Sequence, residues 1–398
     1  MNTNISSREA MLSALNCKKP EYIPCSFMLF RALMAKSKDQ YDFVKKQQDL
    51  GLDPILYLPL RKIYPHLETE EYIGPKLTFH PEVKIKEWVE DDPSENLPMI
   101  HKEFSTPEGK LKVEVRKTKD WPYDDHIPYI FDDFLTPVSR SRKYLVNSKD
   151  DLNKLKYLLT PPNSDAIKAF IEDAKEAKRF AENENILLGG MWGYGLDAAA
   201  WLCGLENILY LAIDDPGFVQ EFIEFISSWN IKNMELSLDA GADIFVKRVF
   251  YESSTWWSPK LFKKFILPTL KKEVELCKQA GTKLILQMSE GSLPIIDLLL
   301  EAKVDALAGI DPVMDSTMDL KLLKEKVKGK MCLWGGVNQA ITVEKGSREE
   351  IRDEVERAVN ILGKDGGFIM TPVENVIDMS EDVWKKVIMF IEAWKDLR

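Results

Sequence analysis

The chain has 398 residues, of which 45% are hydrophobic, so it is long enough to bury a large core in one or two domains. Its net charge of −10 and its dispersed lysines and arginines argue against nucleic acid and anionic membranes as partners. No apolar run reaches about 18 residues and no signal peptide pattern is visible, which predicts a cytoplasmic protein without a membrane span.

Short apolar strands alternate with helical stretches along most of the chain. The first two strands are predicted at 22–30 and 54–59. Residues 77–119 then follow a period of two with turns, which predicts an antiparallel hairpin insertion. Two of the later helices are predicted at 214–238 and 347–362. The remaining six strands are predicted at 186–192, 244–250, 284–288, 306–310, 331–334 and 368–370.

Eight strand and helix units predict a (β/α)8 TIM-type barrel, formed by residues 1–398 as a single domain with the insertion at 77–119. No G-x-G-x-x-G or P-loop motif opens a helix, which argues against dinucleotide and nucleotide sites of those types. In such barrels the ligand site lies at the carboxyl ends of the strands. Polar residues at those ends are therefore the candidates for chemistry.

Three polar residues at strand ends are predicted to be catalytic. Glu252 and Gln287 follow two successive strands, and Glu374 follows the last one. Glu252 fits a general acid, a general base or a metal ligand. Its alternative role is a salt bridge to Lys247 or Arg248, and strand alternation places Arg248, not Lys247, on its face.

The same strand ends carry residues predicted to bind the substrate. Four are aromatic, and an aromatic cleft suits a planar apolar substrate, although core packing is the alternative. Three are polar, and one of them, Ser289, has the alternative role of capping the next helix. The seven residues are Trp192, Tyr194, Arg248, Trp256, Ser289, Trp334 and Asn338.

Histidine and cysteine usage restricts the metal chemistry. All four histidines lie in the first third of the chain, which nearly excludes a multi-histidine site built across the barrel. The five cysteines are isolated from one another, as expected for reduced thiols in a cytoplasmic protein.

Five motifs follow one another in the second half of the chain. They are A-G-A-D at 240–243, S-P-x-x-F-x-x-F-x-x-P at 258–268, Q-A-G-T-K-L-I-L at 279–286, L-W-G-G-V-N at 333–338 and G-G-F-I-M-T-P at 366–372. With these motifs in this order, the chain resembles the uroporphyrinogen decarboxylase superfamily over nearly its whole length. This superfamily includes the decarboxylases and cobamide-dependent methyltransferases. The loop at 121–126 and the hairpin insertion resemble the methyltransferase members.

The departures from the family pattern bear on the substrate and on the metal. The arginine-rich segment that holds porphyrinogen carboxylates is reduced here to Arg31, and the aspartate at the end of the second strand is missing. Where zinc-binding methyltransferases carry a histidine and two cysteines, this chain has Gln287, Ser289 and Glu374. The resemblance therefore argues against a zinc–thiolate site and leaves the metal unknown. An oxygen-ligated metal held by Glu252, Gln287 and Glu374 remains an alternative.

The resemblance implies a methyltransferase that moves a methyl group between a small methylated substrate, such as an aromatic or other methyl ether, and a corrinoid carried by a partner protein. Such an O-demethylase component of anaerobic metabolism needs an acid at the ether oxygen, for which Glu252 or Glu374 is predicted, with Gln287 as hydrogen-bond donor. One alternative is a decarboxylase or lyase of a small carboxylate, with Arg31 and Arg248 as anion clamps. Another is a ligand-binding paralogue without turnover, and a homodimer is left open.

Overall fold

A computed structural model describes residues 5–59, 79–127, 130, 133, 136–378 and 380–398. The described residues form two compact units, and two helices, Ser164–Glu184 and Pro216–Asp239, contribute residues to both. The first unit takes its residues from Met1–Gly74, Lys168–Gly193 and Met234–Arg398. The second takes them from Pro75–Ile167 and Tyr194–Asn233. The single domain predicted for residues 1–398 stays a prediction.

The first unit contains a parallel sheet of seven strands in the order β1-β6-β7-β8-β9-β10-β11. Almost every residue of these strands is buried, as expected when helices cover a parallel sheet. This confirms the predicted α/β class. The strands are β1 Ile55–Leu58, β6 Leu187–Gly193, β7 Ile244–Arg248, β8 Lys283–Gln287, β9 Ala306–Ile310, β10 Cys332–Asn338 and β11 Phe368–Val373.

The strand predicted at 22–30 is wrong. A single parallel bridge joins Cys25 to Met370, and Asp53 N donates to Cys25 O at 2.8 Å on the other side. Pro24 has no N–H to extend a ladder, and a short helix begins soon after, at Arg31. The remaining seven predicted strands are confirmed within a few residues at most of their ends.

The second unit contains an antiparallel sheet of four strands in the order β2-β3-β4-β5. The sheet confirms the antiparallel insertion, of which residues 77 and 78 lie outside the described residues. The sheet also extends beyond the predicted boundary, because β5 pairs with β4 from a segment more than twenty residues later. Its strands are β2 Lys84–Glu90, β3 Met99–Thr106, β4 Gly109–Arg116 and β5 Ser141–Lys143.

Most helices start at a side-chain cap and pack one apolar face. Ser6, Ser148 and Ser347 form capping boxes, in which each hydroxyl accepts from the backbone three residues later. The helices are α1 Ser7–Leu15, α2 Arg31–Met34, α3 Gln40–Asp49, α4 Lys149–Leu155, α5 Ser164–Glu184, α6 Leu196–Cys203, α7 Leu205–Asp214, α8 Pro216–Asp239, α9 Pro259–Leu261, α10 Leu267–Ala280, α11 Ile296–Ala302, α12 Leu320–Val327, α13 Arg348–Ala358 and α14 Glu381–Leu397.

The two helices predicted at 214–238 and 347–362 are found as α8 and α13, and the second is continued by a π-helical turn, Val359–Gly363. Within the described chain no single helix has the length and hydropathy to cross a bilayer. Helices α6 and α7 meet that test only as a pair, which is bent by 101°.

Helix α5 shows how the sheet is covered. Its residues Phe170, Ala174, Ala177 and Ala181 repeat at helical spacing and are all buried. They form a core cluster with buried residues of β1 and β6. The strands are thereby fixed so that their carboxyl ends meet at one edge of the first unit.

Candidate active site

A small cavity lies at the carboxyl ends of β8, β9, β10 and β11. The volume of this cavity between the described residues is about 20 Å³, which is room for about one water molecule or a group of the size of a methyl. The lining residues are Met28, Leu29, Gln287, Ser289, Ala308, Gly309, Trp334, Thr371, Pro372, Val373 and Glu374.

Gln287 brings an unsatisfied acceptor to this cavity. It is the last residue of β8 and is only 8% exposed. Its Oε1 has no hydrogen-bond partner in the part of the chain that the structure describes. A buried polar atom left without a partner costs about 1–3 kcal/mol, so a ligand that donates to this oxygen would recover that cost.

Glu374 brings a carboxylate held in an unusual backbone conformation. It follows β11 directly, is exposed, and has φ of +80°. Residues other than glycine adopt a positive φ at a cost of about 1–3 kcal/mol, and such backbone strain clusters at functional sites. No cation among the described residues lies within 4.0 Å of its carboxylate. Its carboxyl group is therefore available to a ligand.

Trp334 and Gly309 shape the wall of the cavity. Trp334 is fully buried and its Nε1 donates to Ser26 O at 2.9 Å, so the indole N–H is already satisfied and the ring serves as wall. Gly309 has φ of +94°, and a Cβ there would lie 2.4 Å from Met288 O. Only glycine lets β8 and β9 approach this closely beside the cavity.

Glu252, predicted to be catalytic beside Gln287, does not line the cavity and instead belongs to a buried ion cluster. The Nζ of Lys247 lies 2.9 Å from Glu273 Oε2 and 3.5 Å from Glu252 Oε2. All three residues are at most 2% exposed. Burial alone would lower the pKa of Lys247, but the carboxylates of Glu252 and Glu273 outweigh it and raise that pKa. Lys247 is therefore charged at neutral pH.

Glu252 thus contacts Lys247, the neighbour that strand alternation did not favour, and the backbone gives the reason. Alternation applies within β7, which ends at Arg248. Residues Phe250–Glu252 form a 3₁₀ turn with three residues per turn, so the side chain of Glu252 no longer follows the strand period. It reaches Lys247, which packs against Glu273 of α10.

The structure places four of the predicted site residues together on the cavity: Gln287, Ser289, Trp334 and Glu374. It does not place Asn338 there, although Asn338 ends β10. The Nδ2 of Asn338 donates to Asp311 Oδ2 at 2.6 Å, and its Oδ1 accepts from Ile341 N. Asn338 therefore fixes the turn after β10.

Three other predicted residues do not line the cavity, and the side chain of a fourth is not among the described parts of the chain. The guanidinium of Arg248 stacks on Phe250 at 4.3 Å, and Trp256 is partly exposed with its ring 6.5 Å from that of Tyr251. Tyr194 is buried in the second unit. The side chain of Trp192 lies outside the described part of the chain.

The sequence prediction missed two kinds of residue. Met28, Leu29 and Thr371 line the cavity without having been selected. Thr371 was the detectable one, because it is a polar residue inside the otherwise apolar strand β11. Glu273 was also detectable, since it shares the buried helical stripe of α10 with Leu270 and Cys277.

The donor set of the cavity does not fit a zinc–thiolate site. Its polar side chains are one carboxylate, one amide and two hydroxyls, and none of the five cysteines lines it. The oxygen-ligated alternative loses Glu252, which is directed at Lys247. In the described ranges no three residues of the types His, Cys, Asp and Glu are grouped to hold a metal. No chemical step is therefore derived through a protein-bound metal.

The described lining of the cavity holds no basic residue. Glu374 is the only ionisable residue among the described residues that line it, and neither lysine nor arginine appears there. A carboxylate substrate would therefore find no compensating cation in the described lining. A neutral substrate suits this lining better.

Comparisons with known proteins bear on the family and the fold. A family model described as uroporphyrinogen decarboxylase (URO-D) matches residues 136–384, which is more than half of the chain. Uroporphyrinogen decarboxylase 2, chloroplastic, of Arabidopsis thaliana is 24% identical over 282 residues, covering 63% of this chain and 68% of that protein. A solved methyltransferase from Methanosarcina mazei covers 99% of both chains at 15% identity and a TM-score of 0.61, which shows a shared fold.

Proposed function

This chain belongs to the uroporphyrinogen decarboxylase family, and we propose that it is a methyltransferase that passes a methyl group from a small methylated substrate to a corrinoid protein. The observation that carries the proposal is the absence of a basic residue from the described lining of the cavity. Porphyrinogen and other carboxylate substrates need cations at the site, whereas a methyl ether does not.

The chemistry that the lining supports is acid-assisted cleavage of a carbon–oxygen bond. In the proposed reaction the bond between the methyl carbon and the ether oxygen breaks, and the methyl group is taken by the nucleophile that a corrinoid partner supplies. The electron pair stays on the ether oxygen, which takes a proton from the carboxyl group of Glu374. Without that proton the leaving group would be an alkoxide or phenoxide, which leaves poorly.

Gln287 and Trp334 position the substrate in this proposal. The free Oε1 of Gln287 accepts a hydrogen bond from a substrate hydroxyl or amine. The ring of Trp334 supplies an apolar wall for the methyl group. Of the predicted aromatic set only Trp334 lines the described cavity, so the proposal names a small methylated substrate and does not require an aromatic one.

A decarboxylase is the second candidate, and the curated plant relative favours it. Its anion clamps were predicted to be Arg31 and Arg248, and neither lines the described cavity. A ligand-binding paralogue without turnover is the third outcome that an assay has to separate.

We further propose that the parallel sheet closes into an eight-stranded barrel, with the segment around Cys25 in the eighth position. The hydrogen bonds of this segment to Met370 on one side and to Asp53 on the other support closure. A cytoplasmic location and a role in anaerobic O-demethylation belong to the same proposal.

The test is an assay of the purified protein with a reduced corrinoid protein and a panel of methylated alcohols, phenols and amines. We expect the absorbance change of cobalt methylation with at least one neutral or cationic substrate. Carbon dioxide release from small carboxylic acids, without cobalt methylation, would establish the decarboxylase instead. Binding without either reaction would establish the paralogue.

A further inference from the structure

A second cavity lies at the opposite, amino-terminal ends of β8 and β9. Its volume is about 500 Å³, which falls within the range of small-molecule sites. Lys283 begins β8 and Asp305 directly precedes β9, and both line this cavity. None of its described lining residues belongs to the candidate active site at the other end of these strands.

The lining of this cavity has a surplus of positive charge. Four lysines (Lys278, Lys283, Lys303 and Lys330) face one carboxylate, Asp305. Lys283 Nζ lies 2.8 Å from Asp305 Oδ1, so these two charges balance each other. The other three lysines are exposed and have no carboxylate within 4.0 Å in the described chain. Three uncompensated ammonium groups around one cavity stand out in a protein with a net charge of −10.

The lysines are the donors that remain for a ligand. The backbone N–H groups of Gly281 and Lys303 donate to Lys278 O and Leu300 O. The Thr282 hydroxyl donates to Ala242 O at 2.7 Å. Recognition at this cavity therefore depends on the charges of the ammonium groups, while Val274, Leu300 and Val304 provide an apolar wall.

Helix capping explains part of this arrangement. Lys278 lies in the last turn of α10 and Lys303 is the C-cap of α11. A positive charge at these positions interacts favourably with the negative end of the helix dipole. The dipole argument does not cover Lys330, which lies in the turn before β10. It also gives no reason for three lysines to share one cavity.

We propose that this cavity binds a small multivalent phosphate, either inorganic or carried on an organic body. A lysine ammonium serves phosphate as a point charge. Planar carboxylates are better held by the fork of an arginine, and no arginine appears among the described lining residues. A ligand with two or more negative charges would offset the repulsion between Lys278, Lys303 and Lys330.

The experiment is calorimetric titration of the full chain with inorganic triphosphate, adenosine triphosphate and citrate at constant ionic strength. We expect triphosphate to bind and citrate to bind more weakly. Adenosine triphosphate binding more tightly than triphosphate would identify an organic phosphate, and the reverse order an inorganic one. Equal binding of citrate, or no heat from either phosphate at millimolar concentration, would overturn the proposal.

Three variants locate the binding. Triphosphate binding should weaken about fivefold or more, the effect of one charge contact in water, in each of the variants Lys278→Ala, Lys330→Ala and Lys303→Asn. Asparagine is chosen at position 303 because it tolerates the φ of +64° there. Lys272→Ala is the matched control, because Lys272 is exposed on the same helix α10 and does not line the cavity. An equal loss in the control would show diffuse attraction and contradict the proposal. Unchanged melting temperatures verify that the variants fold.

Discussion

Removing Lys247 tests the buried ion cluster most severely. Lys247→Met keeps the length of the side chain but leaves the carboxylates of Glu252 and Glu273 buried at the site with their shared cation gone. Breaking a buried pair by deleting one partner costs about 3–5 kcal/mol, because the remaining carboxylates lose this counter-ion while they stay buried. We therefore expect the free energy of unfolding to fall by that amount.

The assay is equilibrium unfolding in urea, with an unchanged denaturant slope as evidence that the transition itself has not changed. Lys271→Met is the matched control on the same helix as Glu273. Lys271 pairs with Glu301 at 2.7 Å, but these side chains are 46% and 42% exposed. Such an exposed pair contributes about 0–1 kcal/mol.

The double variant Lys247→Met/Glu273→Met separates charge from packing. It leaves a single carboxylate, that of Glu252, in place of two, so it should be more stable than Lys247→Met alone. If Lys247→Met costs no more than Lys271→Met, the cluster is not electrostatically essential and the reasoning is refuted.

Three further predictions concern the backbone at the cavity, the pH dependence of stability and the lining of the site. Gly309→Ala should destabilise the protein by clearly more than Gly281→Ala. Both glycines have positive φ, but only at position 309 would a Cβ lie 2.4 Å from a carbonyl oxygen. Urea unfolding of both variants measures the difference. Burial raises the pKa of Asp53 to about 6, although hydrogen bonds from Tyr22 and Cys25 oppose this. The folded state therefore binds a proton that the unfolded state has released between about pH 4 and pH 6, and stability should fall by about 3 kcal/mol as the pH rises through that window. Asp53→Asn should lack this component of the pH dependence, and an identical profile would show that Asp53 does not titrate there. Trp334→Phe should raise KM more than it lowers kcat in the methyl transfer assay, because the ring forms a wall and its N–H is bound to Ser26 O.

The sheet could be predicted well because its signal is local. Each strand of the parallel sheet is a short apolar run bounded by turn residues, and both faces are buried. The segment at 22–30 has the same apolar character, but Pro24 and the helix start at Arg31 limit it to one bridge. Composition alone does not reveal how many backbone groups find a partner.

The site could be predicted only in part, for a related reason. Gln287 and Glu374 are polar residues at strand ends, and the parallel direction of the strands places both at the same edge of the sheet. Glu252 has the same signature but follows a 3₁₀ turn, and its position depends on Lys247 and on Glu273 of a later helix. Contacts between elements that are distant in sequence cannot be predicted from the residues of one short segment.

Single-turnover methyl transfer by Glu374→Gln tests the central claim most directly. Glutamine keeps the shape and the hydrogen bonding of the side chain and lacks its proton, so the rate should fall about 10²-fold or more, as is typical for a general acid. The unfolding free energy should stay within about 0.5 kcal/mol of the wild-type value, since Glu374 is exposed and makes no ion pair among the described residues. Transfer at the wild-type rate would remove Glu374, and with it the proposed active site, from the mechanism.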